Sequence, residues 1–158
     1  MAELTPEAWG DVYHRAFPHV YRALVAATFD RERALDGLHD AFEEGLRNPP
    51  PHDRNIEGWL YRVALRKARR RLFRVRRREV ALTGGAAGDE VAAVLDRLEV
   101  GRLLALLTER QRAIVVAHYY LGLTQEEIAD ALGVRRGTVS ATVSQSLARM
   151  REGGIARG

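Results

Sequence analysis

Between Thr124 and Val143 the chain reads T-Q-E-E-I-A-D-A-L-G-V-R-R-G-T-V-S-A-T-V, and few folds accommodate that pattern. Thr124 followed three residues later by Glu127 fits a capping box, in which the threonine oxygen takes an amide proton and the glutamate reaches back to the cap. The apolar residues Ile128, Ala129 and Leu132 make one short helical stripe, and Val139, Val143, Leu147 and Met150 make a second. Gly133 lies between them, where a left-handed turn residue stops a helix without a Cβ penalty. Small Ala129 lets two helices approach. The spacing predicts a helix-turn-helix whose second helix enters a major groove with its N-terminal residues towards base edges.

The residues placed to touch DNA are Arg135, Arg136, Thr138, Ser140, Ala141, Ser144 and Gln145. Arginine can pair with guanine, glutamine with adenine, and hydroxyls with bases or phosphates. A capped helical hairpin with no nucleic-acid role has the same local pattern, so the rest of the chain must decide.

Charge is distributed unevenly. The whole protein of 158 residues carries a formal +4, yet the block Trp59–Arg78 holds ten basic residues and no acidic one, against eleven acidic and six basic residues before it. Such clustering marks a contact with a polyanion. Of 25 basic residues only Lys67 is a lysine; codon bias explains that choice of cation but not its location.

The first half reads as helices. Thr5-Pro6 is an N-cap and first-turn pair, with Val20, Leu24 and Ala27 following at helical spacing and Pro18 marking a kink or restart. Asp30 is a second N-cap, ahead of a stripe of Leu35, Leu38, Phe42 and Leu46. Asn48-Pro49-Pro50-Pro51-His52-Asp53 reads as a loop. Asn55 caps a third helix with Leu60, Val63, Ala64, Ala68, Leu72 and Val75 on its apolar face and Arg62, Arg66, Arg69, Arg70, Arg76 and Arg77 on the other. Trp59, Tyr61 and Phe73 are the aromatics near those cations, candidates for stacking on unpaired bases as well as for core packing.

Ala81–Gly88 is small and glycine-rich with no periodic apolar face, and reads as a flexible linker. Beyond it Val91, Val94, Leu95, Leu98 and Leu103 suggest a helix, and Thr108-Glu109-Arg110-Gln111 is a further capping box. Gly122 stands where the helix begun at Thr108 should stop. The expected architecture is all-α: a helical domain over 1–78, a linker over 79–90, and a helix-turn-helix domain over 91–158.

Cysteine is absent, which excludes disulfides, thiolate metal sites and a cysteine nucleophile. His14, His19, His39, His52 and His118 show no metal-ligand pairing, and neither a phosphate-cradling glycine loop nor an acid–base constellation is evident. No enzyme, cofactor or metal is expected. The start of the chain has no basic segment followed by an apolar run, and no stretch approaches the roughly twenty apolar residues of a spanning helix, so a soluble cytoplasmic protein is expected.

Two segments resemble a known family. Leu104–Val115, Leu123–Ala129 and Gly137–Ser140 resemble region four of the sigma-seventy superfamily, which reads the minus-thirty-five promoter element. Ala34-Leu-Asp-Gly-Leu-His-Asp-Ala-Phe42 resembles the region-two segment that docks on the clamp helices of RNA polymerase, and Trp59-Leu-Tyr-Arg-Val-Ala64 resembles the start of the helix facing the minus-ten element. Their order, and the lack of a large region three, resemble the extracytoplasmic-function (ECF) sigma factors. The resemblance implies a sigma factor that brings core RNA polymerase to promoter DNA and answers to an anti-sigma protein.

Carried over by position, Asp36, Leu38, His39, Asp40 and Phe42 would dock on polymerase, and Arg62, Arg66, Lys67, Arg69 and Arg70 would lie along the minus-ten strand. The chain departs from the family pattern at Leu35, His39 and Arg66, and in the second helix of the hairpin, where Ser140, Thr142, Gln145 and Leu147 replace the usual basic residues. Fewer phosphate contacts imply weak independent binding at the minus-thirty-five element, which the polymerase compensates by holding both domains near the DNA. Two rivals are a sigma-like mimic that binds an anti-sigma protein without initiating transcription, and a free-standing helix-turn-helix regulator.

Overall fold

The computed structural model describes residues 5–51, 55–79 and 99–155, with side chains described for 5–51, 55–68 and 99–154. The expected linker over 79–90, apart from Glu79 itself, and the apolar run Val91, Val94, Leu95 and Leu98 lie outside the described residues, as do His52 and Asp53 of the proline loop. Seven helices are described: α1 Pro6–Thr28, α2 Arg31–Arg47, α3 Ile56–Glu79, α4 Glu99–Leu104, α5 Glu109–Tyr119, α6 Gln125–Leu132 and α7 Arg136–Ile155. The described residues are all-helical, and none of these helices is long and apolar enough to cross a membrane.

Local chemistry accounts for the helix starts. The Thr5 hydroxyl accepts from Ala8 N at 3.2 Å, an Asp30 carboxylate oxygen from Arg33 N at 3.0 Å, and Asn55 Oδ1 from Gly58 N at 3.1 Å, each satisfying an amide with no intrahelical partner. Complete capping boxes open α5 at Thr108 with Gln111 and α6 at Thr124 with Glu127. Gly133 closes α6 at φ 65°, and Gly122 turns the chain at φ 69° after α5. Pro18 neither ends nor restarts α1, which continues through it to Thr28.

The first three helices form a bundle whose α2 face differs from the expected stripe. Leu38 and Phe42 point inward, but Leu35 and Leu46 are 36% and 58% exposed. Small residues complete the buried face instead: Ala34, Gly37, Ala41 and Gly45. The reason is close approach. A Cβ on Gly37 would lie 2.6 Å from the Ala64 carbonyl oxygen of α3, and one on Gly45 would collide with the Trp9 indole. Backbone contact sets how α2 is turned, and the larger residues flanking that strip are left outside.

On α3, Leu60, Val63, Ala64 and Ala68 are buried as the periodicity requires, joined by Tyr61 and Leu65. Leu72 and Val75 lie where side chains are not described. In the second half, Ile128 and Ala129 of α6 pack on Val139 and Val143 of α7, with Leu132, Val134, Leu147 and Met150 partly buried around them. The wholly buried Leu24, Leu38, Leu60, Ile114 and Ile128 each contribute about 1.5–3 kcal/mol of transfer free energy.

All five residues from Ala113 to Ala117 are buried, so α5 has no solvated face over that turn and a half; helices of that kind are enclosed by neighbours on every side. The enclosing elements include α1, and a single apolar cluster runs from Trp9 and Val12 through Leu60 to Ile114, Ile128 and Val143. The N-terminal and C-terminal halves therefore share a core.

Candidate nucleic-acid interface

The second helix of the hairpin, α7, begins at Arg136, and the Arg135 carbonyl accepts from Thr138 N and Val139 N to start it. Val139, Val143 and Ser146 face inward, leaving Arg135, Arg136, Thr138, Ser140, Ala141, Ser144 and Gln145 all exposed. The seven residues expected to touch duplex DNA thus stand on an open surface. Arg136 reaches Glu126 of α6 at 3.5 Å, with both side chains about two-thirds or more exposed, a pairing weak enough to exchange for a phosphate. Thr142 spends its hydroxyl on the Thr138 carbonyl at 2.8 Å.

The cationic helix is less accessible at its start. Arg66 is exposed and Lys67 half-buried, whereas Arg62 lines a cleft of about 550 Å³ with Asn55, Gly58, Trp59, Leu123, Glu127, Asp130 and Ala131. Two carboxylates of α6 therefore share a cleft with the first arginine of the minus-ten candidates. The side chains of Arg69 and Arg70 lie outside those described. Among the aromatics, Tyr61 is buried and donates its hydroxyl to the Ala113 carbonyl at 2.8 Å, so in this structure it is committed to the interior. Trp59 is half-buried with its ring 6.2 Å from that of Trp9. Phe73 is among the residues whose side chains are not described.

Of the docking candidates on α2, His39 is exposed and Asp36 and Asp40 are half-buried. Leu38 and Phe42 are core residues; Phe42 packs edge-on to Trp9 at 5.6 Å and accepts the indole N–H at its carbonyl, 3.0 Å away. These two orient the helix from within and do not offer themselves to a partner here. On this stretch Asp36, His39 and Asp40 reach the surface, beside exposed Leu35.

Polar contacts between the halves cluster at the end of α1. Phe29 caps that helix in the left-handed region at φ 54°, an uncommon conformation for a bulky residue, and α1 has no basic residue in its last turn. Arg112 of α5 supplies the missing cation. Its Nε donates to the Ala27 carbonyl at 2.9 Å, an Nη donates to the Leu107 carbonyl at 2.7 Å, and the guanidinium carbon lies 4.0 Å from the centre of the Phe29 ring. A cation there meets unsatisfied carbonyls and the negative end of the helix dipole.

Burial pushes the Arg112 guanidinium below its ordinary value; Glu109 opposes that shift and Arg33 adds to it. Arg33 of α2 holds Glu109 with two N–H groups at 2.7 and 3.4 Å, while its buried Nε has no partner. On the other side, His19 bonds Glu57 at 2.6 Å and its ring lies 4.5 Å from that of Tyr120. No group of three or more potential metal ligands occurs among the described residues.

An exposed hairpin helix thus stands beside a helical bundle whose third helix is rich in cations. Residues 97–150 match the family model for sigma-70, region 4. Over 142 residues the chain is 28% identical to the ECF RNA polymerase sigma factor SigL of Mycobacterium tuberculosis, covering 84% of this chain and 80% of that one. It is 30% identical over 115 residues to the RNA polymerase sigma factor CnrH of Cupriavidus metallidurans, covering 62% and 60%.

Two solved structures share the fold. The sigma factor RpoE of Bartonella quintana, in complex with the anti-sigma factor NepR, matches with a TM-score of 0.71 at 19% identity, covering 93% of this chain and 96% of that one. CnrH in complex with the cytosolic domain of CnrY matches at 0.69 and 22%, covering 98% and 92%. These two likenesses are of fold, and the region-four match spans the helix-turn-helix half of the chain.

Proposed function

We propose that this chain is an RNA polymerase sigma factor that directs core polymerase to promoters and does no chemistry of its own. The observation that carries the reading is the open outer face of α7, with seven potential contact residues presented from a capped helix-turn-helix within a region-four match. In this reading α7 enters duplex DNA at the minus-thirty-five element through Arg135, Arg136, Thr138, Ser140, Ala141, Ser144 and Gln145. The bundle of α1–α3 docks on the polymerase clamp helices through the exposed part of α2. The melted minus-ten strand follows Arg62, Arg66, Lys67, Arg69 and Arg70 along α3, where a cationic track suits single-stranded DNA.

The bundle and the helix-turn-helix act as two domains, 1–78 and 91–158, joined by the glycine-rich segment. An anti-sigma protein is the expected regulator, by analogy with the partners named for the two matching structures. The protein works in the cytoplasm, where its polymerase is.

In vitro transcription with purified core polymerase and a genomic promoter library tests this. Protein-dependent transcripts that share paired upstream elements are expected. Core binding without transcripts would point to a mimic, and duplex binding without core binding to a free-standing regulator.

A further inference from the structure

We infer that the chain holds a binding site for a small amphipathic anion, a monomeric molecule with an aliphatic body and one anionic head, such as a medium-chain fatty carboxylate. The site is an apolar cavity where α1 and α2 meet α4, α5 and α7. It is independent of the promoter-directing role.

Size and lining come first. The cavity measures about 910 Å³, towards the upper end of the roughly 300–1,000 Å³ of small-molecule sites, which favour junctions between helices and between domains. Leu104 of α4 and Val115 and Val116 of α5, all buried, form its deepest part, and Val25 of α1 and Leu147 of α7, half-buried, form its sides. Aliphatic walls of this kind offer no hydrogen bonds, so they select apolar surface alone, and each methylene taken out of water tightens binding about fourfold.

The rim supplies the opposite chemistry. Arg22 of α1 and Arg31 of α2 both line the cavity and both are exposed, and no carboxylate lines it among the described residues. Arg33, Arg47 and Arg136 each meet a carboxylate; Arg22 and Arg31 form no ion pair with any described residue. Guanidinium groups bind carboxylates through charge-assisted hydrogen bonds. A neutral hydrocarbon would gain nothing from the two arginines, and a small ion without an apolar body would gain nothing from the walls. What complements both is a molecule charged at one end.

The opening carries a further sign. Val100 and Tyr119, 61% and 59% exposed, stand at the same cavity. One exposed apolar side chain signifies little, but two at one mouth continue its apolar surface outward, and the tyrosine pairs an apolar ring with a polar tip suited to such a boundary.

Isothermal titration calorimetry of the full chain with dodecanoate, kept below its micelle concentration, tests the site. One saturable equivalent is expected, with affinity rising about fourfold per methylene from octanoate to dodecanoate. Dodecanoate should bind about tenfold more tightly than dodecanol, an effect of the size that two exposed charge pairs produce. R22A with R31A should abolish that preference and leave dodecanol binding unchanged. Ala26→Phe, which sets a ring into the cavity, should abolish binding of both ligands; if it does not fold by circular dichroism, the arginine pair and the chain-length series decide. At about 100 times its Kd, dodecanoate should raise Tm by about 5–10 °C.

Absence of binding, uptake of many equivalents without saturation, or a preference for dodecanoate that survives loss of both arginines would each overturn the site. So would dimerisation of the chain that Ala26→Phe abolishes, which would make a second copy the occupant, or binding confined to vesicles of anionic phospholipid.

Discussion

The outer face of α7 and the start of α3 are both candidates for gripping nucleic acid, yet they are provisioned in opposite ways. The α7 face is fully open and poor in cations, with Ser140, Ala141, Ser144 and Gln145 beyond its two arginines. The α3 helix is dense in cations, and its first arginine shares a cleft with Glu127 and Asp130. An exposed, weakly charged surface binds little until a partner positions it, and needs no cover. A strongly basic one attracts any polyanion, and here two carboxylates of the same chain share the cleft with its first arginine.

The comparison can be broken most severely at its scaffold. Leu38 and His39 are neighbours on α2, one buried completely and one exposed. Leu38→Ala should lower unfolding free energy by about 2–5 kcal/mol, measured by urea denaturation, while His39→Ala should change it by less than about 0.5 kcal/mol and weaken core-polymerase binding instead. Comparable destabilisation by both would show that α2 offers no functional surface at that turn.

The cationic side is tested by replacing Arg69 and Arg70 together with alanine. Open-complex formation should fall about 100-fold, as two charge-assisted contacts of about 1.5 kcal/mol each imply, with affinity for core polymerase unchanged in a fluorescence titration. Equal loss of both activities would end the division of labour between α2 and α3.

At the junction, Tyr61→Phe removes the hydroxyl bond to the buried Ala113 carbonyl, which keeps its intrahelical partner, and should cost about 0.5–1.5 kcal/mol of stability; no loss would mean that water replaces the hydroxyl there. The finest adjustment is Asp130→Asn. Removing one partly screened carboxylate should raise affinity for a single-stranded oligonucleotide about two- to fivefold, in line with the 0.2–1 kcal/mol of exposed charge pairs. Binding of a short duplex by α7 should not move. A change in both would erase the contrast between covered and open faces.

How much of this was legible in the sequence follows from the range of the interactions involved. Thr5, Asp30, Asn55, Thr108 and Thr124 announce their helices because a cap is made within three residues. The inward faces of α3 and α7 follow from periodicity for the same reason. The buried face of α2 does not, because Gly37 and Gly45 are chosen by a carbonyl of α3 and an indole of α1, and small residues give no hydrophobic signal against Leu35 and Leu46.

Among the candidate site residues, those on α7 emerged as an exposed set, while Leu38, Phe42 and Tyr61 turned inward because aromatic and aliphatic side chains satisfy core and contact roles alike. The shared core was missed altogether. Arg112 and Ala27 stand 85 residues apart, beyond any local pattern. The run Ala113-Ile-Val-Val-Ala117 was the available sign: a helix with no polar side must be covered by something, and α1 is part of what covers it.

That separation along the chain also orders events in time. The bundle of α1–α3 is complete once Glu79 has been made, but Arg112, which caps α1 at Ala27, comes 33 residues later, an interval of about 2–7 s at 5–20 residues per second. Every molecule therefore begins life with the cationic helix uncovered and the end of α1 uncapped by its distant arginine. The junction between the halves is the last part of the core to be made, and whatever meets the nascent chain early meets the bundle without it.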